Sequence, residues 1–261
     1  MDSPVPPHVT GAQIAQKIFL TRARGGPHLR PSAAVDSGMF AKMLRTNAEE
    51  RLDREGLSPR GLDILRQLDT WNRRTGWYAA HIRRIRRHWE ALGRPSPLRI
   101  LDVGTGTGGL VAALVASDLP CIVTGLDRST GYLAQARERV GTAATFVEGD
   151  ATALPFPDGA FDLVTNTLML HHLPREVRTG LVSEAARVAR STYLFDLEVT
   201  LYGTLGVPVF GPLFGLGRDG VHDGMISVRR GSTLAEFRAL CVPLPVRVVR
   251  VFPSALCTLP A

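Results

Sequence analysis

Lysine is almost missing from this chain: of its 31 basic residues only Lys17 and Lys42 are not arginine. The bias runs through the whole sequence and so carries little information about any one partner. Cysteine is scarce as well. Cys121, Cys241 and Cys257 lie far apart, in none of the paired spacings that build zinc or redox sites, so reduced structural thiols are expected and no disulfide framework. No stretch approaches the ~20 apolar residues of a membrane-spanning helix, and the opening segment lacks the basic start and apolar run of a signal peptide. A cytoplasmic location is the resulting expectation. Internal repeats are absent too, which excludes solenoids. What is present is the composition of a globular protein. Over 261 residues, 44% are hydrophobic and 21% charged, which excludes disordered and collagen-like chains and allows a substantial core.

The formal charge of +7 is unevenly distributed. Residues 22–94 hold 16 basic against 8 acidic residues, whereas residues 95–261 hold 14 against 15. Within the densest basic run, Tyr78, Ile82, Ile85, Trp89 and Leu92 recur at steps of three and four, so one apolar stripe faces a core and the arginines occupy the other faces. A solvated helix face explains that pattern. A basic surface for an anionic substrate or RNA is the competing reading.

Three regions are expected: a flexible or partly helical segment over 1–38, a helical extension over 39–94 and a larger domain over 95–261. The segment Gly93 to Pro97 marks the boundary. Beyond it the period changes. Strands are expected at Leu98 to Val103, Cys121 to Leu126, Thr145 to Glu148, Phe161 to Thr167 and Thr192 to Leu197. Helices alternate with them at Leu110 to Ala116, Tyr132 to Val140 and Glu176 to Ala189. This alternation predicts an α/β fold, a doubly wound, mostly parallel sheet with crossover helices on both faces. Residues 203–220 break the pattern with glycine, proline and large apolar groups. A helix at Thr233 to Leu240 and an antiparallel pair starting at Val246 to Phe252 close the sheet.

The chemistry is concentrated after the first strand. Asp102 is followed by Gly104, Thr105, Gly106, Gly108 and Gly109, where glycines permit a tight turn and close approach of a ligand to the backbone. The spacing alone fits both dinucleotide-binding and S-adenosylmethionine-binding loops. Charge separates them: a carboxylate at Asp102 repels a diphosphate and attracts a sulfonium or ammonium group. Asp127 ends the second strand about 20 residues later, placed for ribose hydroxyls, a feature that dinucleotide-binding proteins share. After the third strand, Asp150 offers an acceptor for the amine of adenine.

Leu101 to Gly109, Gly125 to Ser129, Glu148 to Phe156 and Phe161 to Val164 followed by Leu170 to Leu173 resemble, in this order and spacing, class I S-adenosylmethionine-dependent methyltransferases. The similarity is to the small-molecule (type 11) group that includes ubiquinone and menaquinone methyltransferases, and it covers residues 98–198. The resemblance implies a Rossmann-like, seven-stranded sheet and S-adenosyl-L-methionine as cofactor. It implies that Asp102, Gly104, Thr105, Gly106 and Gly108 hold the methionine moiety, that Asp127 binds ribose with Arg128 beside the adenine, that Asp150 and Ala151 hold the adenine edge, and that Thr167 lies near the sulfonium. A further likeness, carried by Leu68 to Arg73 and His222 to Arg230, is to bacterial methyltransferases that modify phenolic polyketides.

The function expected from that resemblance is methylation, most simply O-methylation, of a small aromatic or hydrophobic acceptor from natural-product biosynthesis. A phenol, with a pKa of about 10, needs a base at neutral pH, and His172, His171 and His222 are the candidates. Trp71, Trp77, Tyr78 and His81 are read either as inter-helix packing or as an aromatic substrate wall, and Phe210, in the apolar segment 203–216, as substrate cover or core. No metal is expected, because Asn166 lacks the accompanying acidic pair of catechol-type enzymes. Nucleic acid is disfavoured as a partner because Thr165 to Met169 lacks the Pro-Pro-aromatic signature of amino-methylating enzymes; a small-molecule acceptor is the expected partner, without a membrane, and a homodimer is compatible. A NAD-linked oxidoreductase and a noncatalytic nucleoside-binding regulator are the alternatives.

Overall fold

The computed structural model describes residue 41, residues 43–252 and residues 254–261. The helical pattern at 11–23 and the loop expected at 25–38 lie outside the described residues. The helices α1 (Arg51–Glu55), α2 (Pro59–Arg74) and α3 (Trp77–Ala91) lead into the sheet. Then follow β1 (Leu98–Val103), α4 (Gly109–Val115), β2 (Cys121–Asp127), α5 (Thr130–Val140), β3 (Thr145–Glu148), β4 (Phe161–Thr167), α6 (Arg175–Val188) and β5 (Ala189–Leu197). The chain closes with α7 (Leu201–Phe210), α8 (Arg218–Arg230), α9 (Leu234–Leu240), β6 (Val246–Val251) and β7 (Ala255–Pro260). No helix among the described residues is long and apolar enough to cross a membrane.

The seven strands form one sheet in the order β3-β2-β1-β4-β5-β7-β6, parallel except where β7 runs against β5 and β6. The doubly wound, seven-stranded expectation is met, including the antiparallel pair at the end. The strand order reverses between β1 and β4, so the crevice at their carboxyl ends is where such a sheet binds ligands.

Side-chain alternation assigns the two faces. On β1, Leu98 and Ile100 enter one core with Ile85, Leu114, Tyr193 and Phe195, while Leu101 and Val103 enter the other with Val164, Leu181, Leu194 and Phe237. Both faces of β1 are buried, as expected of a central parallel strand. The α3 stripe joins the first core: Ile85 is fully buried, and Tyr78, Ile82, Trp89 and Leu92 pack around it. The arginines of α3 lie outside this stripe, Arg86 pairing with Asp118 at 2.5 Å and, with Arg94, approaching the Trp89 ring. The helical extension therefore shares a core with the sheet.

Two helices escape the sequence reading. α7 carries Gly203, Gly206 and Pro208, poor helix formers. It is nevertheless started by Thr200, whose side chain accepts from Gly203 N, and Gly203 is required by packing: a Cβ there would lie 2.2 Å from Ser254 Oγ. α8 packs along α7 and over α1 and α2.

Candidate functional site

Asp102 is the last but one residue of β1 and shares a sheet face with Ile100, so its carboxylate points toward α3 and α4 and not to bulk water. It is 2% exposed. Its register partner Thr165 on β4 donates from Oγ1 to Asp102 Oδ1 at 2.7 Å. Among the described residues no arginine or histidine forms an ion pair with it. Burial pushes its carboxyl up to about 6, and the Asp127 charge adds to that. A buried carboxylate without a cation is costly, and this one lines a cavity.

The loop after Asp102 turns through three left-handed glycines, Gly104 (φ 70°), Gly106 (φ 54°) and Gly108 (φ 72°). Gly104 is also sterically fixed, since a Cβ would meet Met169 at 2.7 Å. Gly106 has nothing within 4 Å of its Cβ position, which leaves its outer side open to a ligand. Asp127, at the end of β2, braces the loop: its Oδ2 accepts from Gly106 N at 2.9 Å and its Oδ1 from Ser129 N at 2.9 Å. Each oxygen retains a lone pair for ribose hydroxyls. Arg128 and Asp150 are exposed and Ala151 is partly so; Asp150 Oδ1 holds Thr152 through its N and Oγ1, both at 2.8 Å, leaving Oδ2 outward. Thr167 ends β4 and is followed by Leu168 at φ 55°, an unusual conformation for a branched side chain at the crevice.

Asp102, Gly104, Thr105 and Thr167 open into a cavity of about 630 Å³, the size of small-molecule pockets. Gly106, Gly108, Asp127, Arg128, Asp150 and Ala151 are not part of its lining; they lie on the loop after β1, around the end of β2 and just past β3. Every member of the aromatic group, Trp71, Trp77, Tyr78, His81 and Phe210, lines the cavity. They also pack on one another and on the protein: Trp71 meets Phe214 edge-on, Trp77 stacks on His81, and His81 Nδ1 lies 2.8 Å from the Tyr193 hydroxyl. Burial depresses His81 to about 3, so its ring is neutral. Burial and the neighbouring Asp69 push the Tyr78 hydroxyl above its usual range, and it donates to Asp69 at 2.8 Å.

The histidines sit on the single helical turn Leu170–His172 after β4. His171 is buried; its backbone N and Nδ1 contact the Asp196 carboxylate at 2.9 and 2.5 Å. Although burial alone would raise it, the His171 imidazole and the hydrogen bonds hold Asp196 below the usual carboxylate range. His172 places Nδ1 3.0 Å from Asp53 Oδ1. Both Nε2 atoms face Glu50, at 3.8 Å from His171 and 3.9 Å from His172. Both histidines and Glu50 line the cavity. Burial raises Glu50 to about 7, against the opposing pull of His172 and the Ser227 hydrogen bond. Against its own partial burial, His172 and Arg230 hold Asp53 well below its ordinary value.

Glu50, Asp53 and Asp196 were not singled out from sequence. The signal for Asp196 was a lone acid in the apolar second half of strand β5; for Glu50 and Asp53 there was none, because tertiary contacts alone bring them here. The segment His222 to Arg230 does this work. On α8, Asp223 caps α1 by accepting from Arg51 N at 3.0 Å and Leu52 N at 2.8 Å. Ser227, one turn on, donates to Glu50 at 2.8 Å, and Arg230 pairs with Asp53 at 2.7 Å. His222 itself stays outside the cavity lining, 40% exposed and 3.0 Å from Asp223, because the face of α8 that turns inward is that of Asp223, Ser227 and Arg230. The structure thus brings His171 and His172 to the cavity and not His222.

Residues 100–192 match the family model described as a methyltransferase domain. The chain is 37% identical over 134 residues to a ubiquinone/menaquinone biosynthesis C-methyltransferase of Methylobacterium nodulans, covering 49% of this chain and 50% of that protein. It is 36% identical over 98 residues to the 27-O-demethylrifamycin SV methyltransferase of Amycolatopsis mediterranei, with 35% of each chain covered. The matches span about half or less of the length of the first curated relatives. Among solved structures, the plantazolicin methyltransferase superposes with a TM-score of 0.51 over 91% of this chain and 76% of its own, at 16% identity, a likeness of fold. The strand order, the glycine loop and the match over residues 100–192 agree: this part of the chain matches a methyltransferase domain and is similar to class I, S-adenosylmethionine-dependent enzymes.

Proposed function

We propose that this protein transfers a methyl group from S-adenosyl-L-methionine to an oxygen of a small, largely apolar acceptor bound in the 630 Å³ cavity. The observation that carries the reading is Asp102: a buried, cation-free carboxylate beside a left-handed glycine loop suits a cationic nucleoside and repels a diphosphate. The residues fit the donor. Asp102 and the Gly104 to Gly108 loop would hold its amino-acid end, Asp127 its ribose, and Asp150 with Ala151 its adenine. When bound, the donor supplies a methyl on a sulfonium sulfur, open to in-line displacement by an acceptor atom.

The chain's own task is alignment and proton removal. Fixing two reactants at attack distance is worth about 7–11 kcal/mol through effective concentration. Trp71, Trp77 and Phe210 provide the apolar wall that orients a hydrophobic acceptor. Its hydroxyl is placed at the end formed by Glu50, His171 and His172, where the proton is lost. Oxygen is favoured over carbon because acidic and imidazole groups converge there, a provision that an attacking oxygen requires. The match to a rifamycin O-methyltransferase agrees with this, while that to a ubiquinone/menaquinone C-methyltransferase names the competing acceptor atom.

Calorimetric titration with S-adenosylhomocysteine and NADH tests the donor: binding of the first and not the second is expected, and the reverse would replace methyl transfer with an oxidoreductase. Labelled donor with a panel of phenols, quinols and amines tests the acceptor. Label on phenols or other hydroxyls is expected; tight donor-product binding with no transfer would make the protein a nucleoside-binding regulator.

A further inference from the structure

We infer that Glu50, His171 and His172 form a binding site for one first-row divalent cation of the zinc type, with its free positions turned to the acceptor cavity. The inference deepens the proposed function and rests on it for the ion's role, but the site itself rests on geometry.

Each histidine is oriented by a carboxylate on the far side of its ring. His171 Nδ1 lies 2.5 Å from Asp196 and His172 Nδ1 3.0 Å from Asp53. An ionised carboxylate only accepts, so the proton sits on Nδ1 and the Nε2 lone pairs are presented to a common point. This carboxylate-backed imidazole is how metal-ligating histidines are held. Two elements distant in sequence converge on that point, the turn after β4 and the residue before α1.

The spacing selects the occupant. Nε2 of each histidine is 3.8–3.9 Å from a Glu50 oxygen, and one ligand atom from each of the three residues can be chosen so that all lie within 4.8 Å of one another. Such gaps are too long for a hydrogen bond and too short for a water hydrogen-bonded to both sides at an open angle. An ion with bonds of about 2.1 Å separates its ligands by ~3.4 Å at tetrahedral angles and ~4.2 Å when they are opposed, which brackets the two gaps between Glu50 and the histidines. Two imidazoles and one carboxylate are a ligand set suited to zinc or its first-row neighbours, with positions left for a substrate oxygen.

Charge agrees. Glu50, Asp53 and Asp196 bring three carboxylates to the cluster, and among the described residues Arg230 is the one guanidinium in ion-pair range of them, 2.7 Å from Asp53 and 3.8 Å from Glu50. A divalent ion offsets the remaining excess. The acidic pair sought beside Asn166 is not what the fold assembles; Asn166 instead donates to Val103 O at 2.8 Å. Against the metal-free expectation from sequence, the ligands come from Glu50 and the histidine pair. There the ion would lower the pKa of an acceptor hydroxyl coordinated to it, so that the proton passes to solvent before the oxygen attacks.

The test is cobalt titration of the chelator-stripped full chain, followed by visible absorption, with zinc competition to rank affinity. One cobalt per chain with submicromolar affinity is expected, with Glu50→Gln and His172→Ala each weakening it about 100-fold and Asp53→Asn about 10-fold. Circular dichroism confirms that each variant is folded, and S-adenosylhomocysteine titration of the same samples reports on the donor crevice separately. The absence of saturable cobalt or zinc binding by a chain that still binds S-adenosylhomocysteine would overturn the metal site and leave methyl transfer standing. Affinity unchanged in folded Glu50→Gln and His172→Ala would also overturn it. Cobalt binding without donor binding would support the site and defeat the methyl-transfer reading.

Discussion

Replacing Asp102 by Asn should make the protein more stable and worse at binding its donor. The carboxyl is fully enclosed, has Thr165 as its hydrogen-bond donor, and is pushed up to about 6 from an ordinary 3.8. A raised carboxyl means that the folded state holds its proton more tightly than the unfolded one, so between about pH 4 and 6 stability falls as pH rises, and above 6 the full cost is present. A shift of about two units corresponds to about 3 kcal/mol. Asn keeps the shape and can accept from Thr165, but its amide protons lack a partner of their own, so a gain of about 1–2 kcal/mol at pH 7.5 is expected. Donor binding should meanwhile lose a charged hydrogen bond worth about 1.5–3 kcal/mol, a weakening of about 10- to 150-fold. Urea unfolding of both proteins at pH 7.5 and 5, with calorimetric titration of S-adenosylhomocysteine, measures both effects. The stability gap should shrink at pH 5. A destabilised Asn variant with intact donor affinity would refute the reasoning, because it would mean that Asp102 serves the fold and not the ligand.

Asp127→Ala should weaken donor binding by about 1–3 kcal/mol, since it removes the ribose acceptor and releases Gly106 N and Ser129 N together; unchanged affinity in titration would mean that this acid is misassigned. As pH falls from about 6.5, the contribution of two buried histidines to stability should be lost: burial holds His81 at about 3 and His88 at about 4, so the unfolded chain takes up their protons first and their contribution, whole above 6.5, disappears progressively toward those values. Replacing His88 by Gln should flatten the stability profile in that window, and an unaltered profile would contradict the assignment. Asp223→Ala removes the N-terminal cap of α1 and should cost about 1–2 kcal/mol in chemical denaturation. Because α1 carries Asp53 and follows Glu50, the same variant should slow methyl transfer at unchanged donor affinity; loss of donor binding instead would place α1 in the nucleoside crevice.

The sheet was legible because a central parallel strand leaves a dense apolar signature, and Leu98 to Val103, Phe161 to Thr167 and the β5 region each carry it. The donor crevice was legible for a related reason: a backbone that must turn left-handed three times within five residues has to spell it in glycine, and Asp102 and Asp127 flank that spelling at strand ends. The helix α7 was hidden by Gly203, Gly206 and Pro208, of which Gly203 is dictated by contact with Ser254 and not by helix propensity. The acceptor end was legible only by half. His171 and His172 stand out as a pair, but their partners come from two distant segments, Glu50 and Asp53 at the start of α1 and Asp196 on β5, that only tertiary packing unites. His222 drew notice through its likeness to a motif whose working members here are Asp223, Ser227 and Arg230, which brace α1 from the inward face of α8.

Which ligand the Asp102 crevice accepts is read most directly from a crystal structure of the protein with S-adenosylhomocysteine. The ligand's ammonium is expected against Asp102, its ribose on Asp127, its adenine beside Asp150, and its sulfur opening toward the cavity that holds Glu50, His171 and His172. A ligand bound elsewhere, or a crevice closed to adenosine, would contradict that expectation.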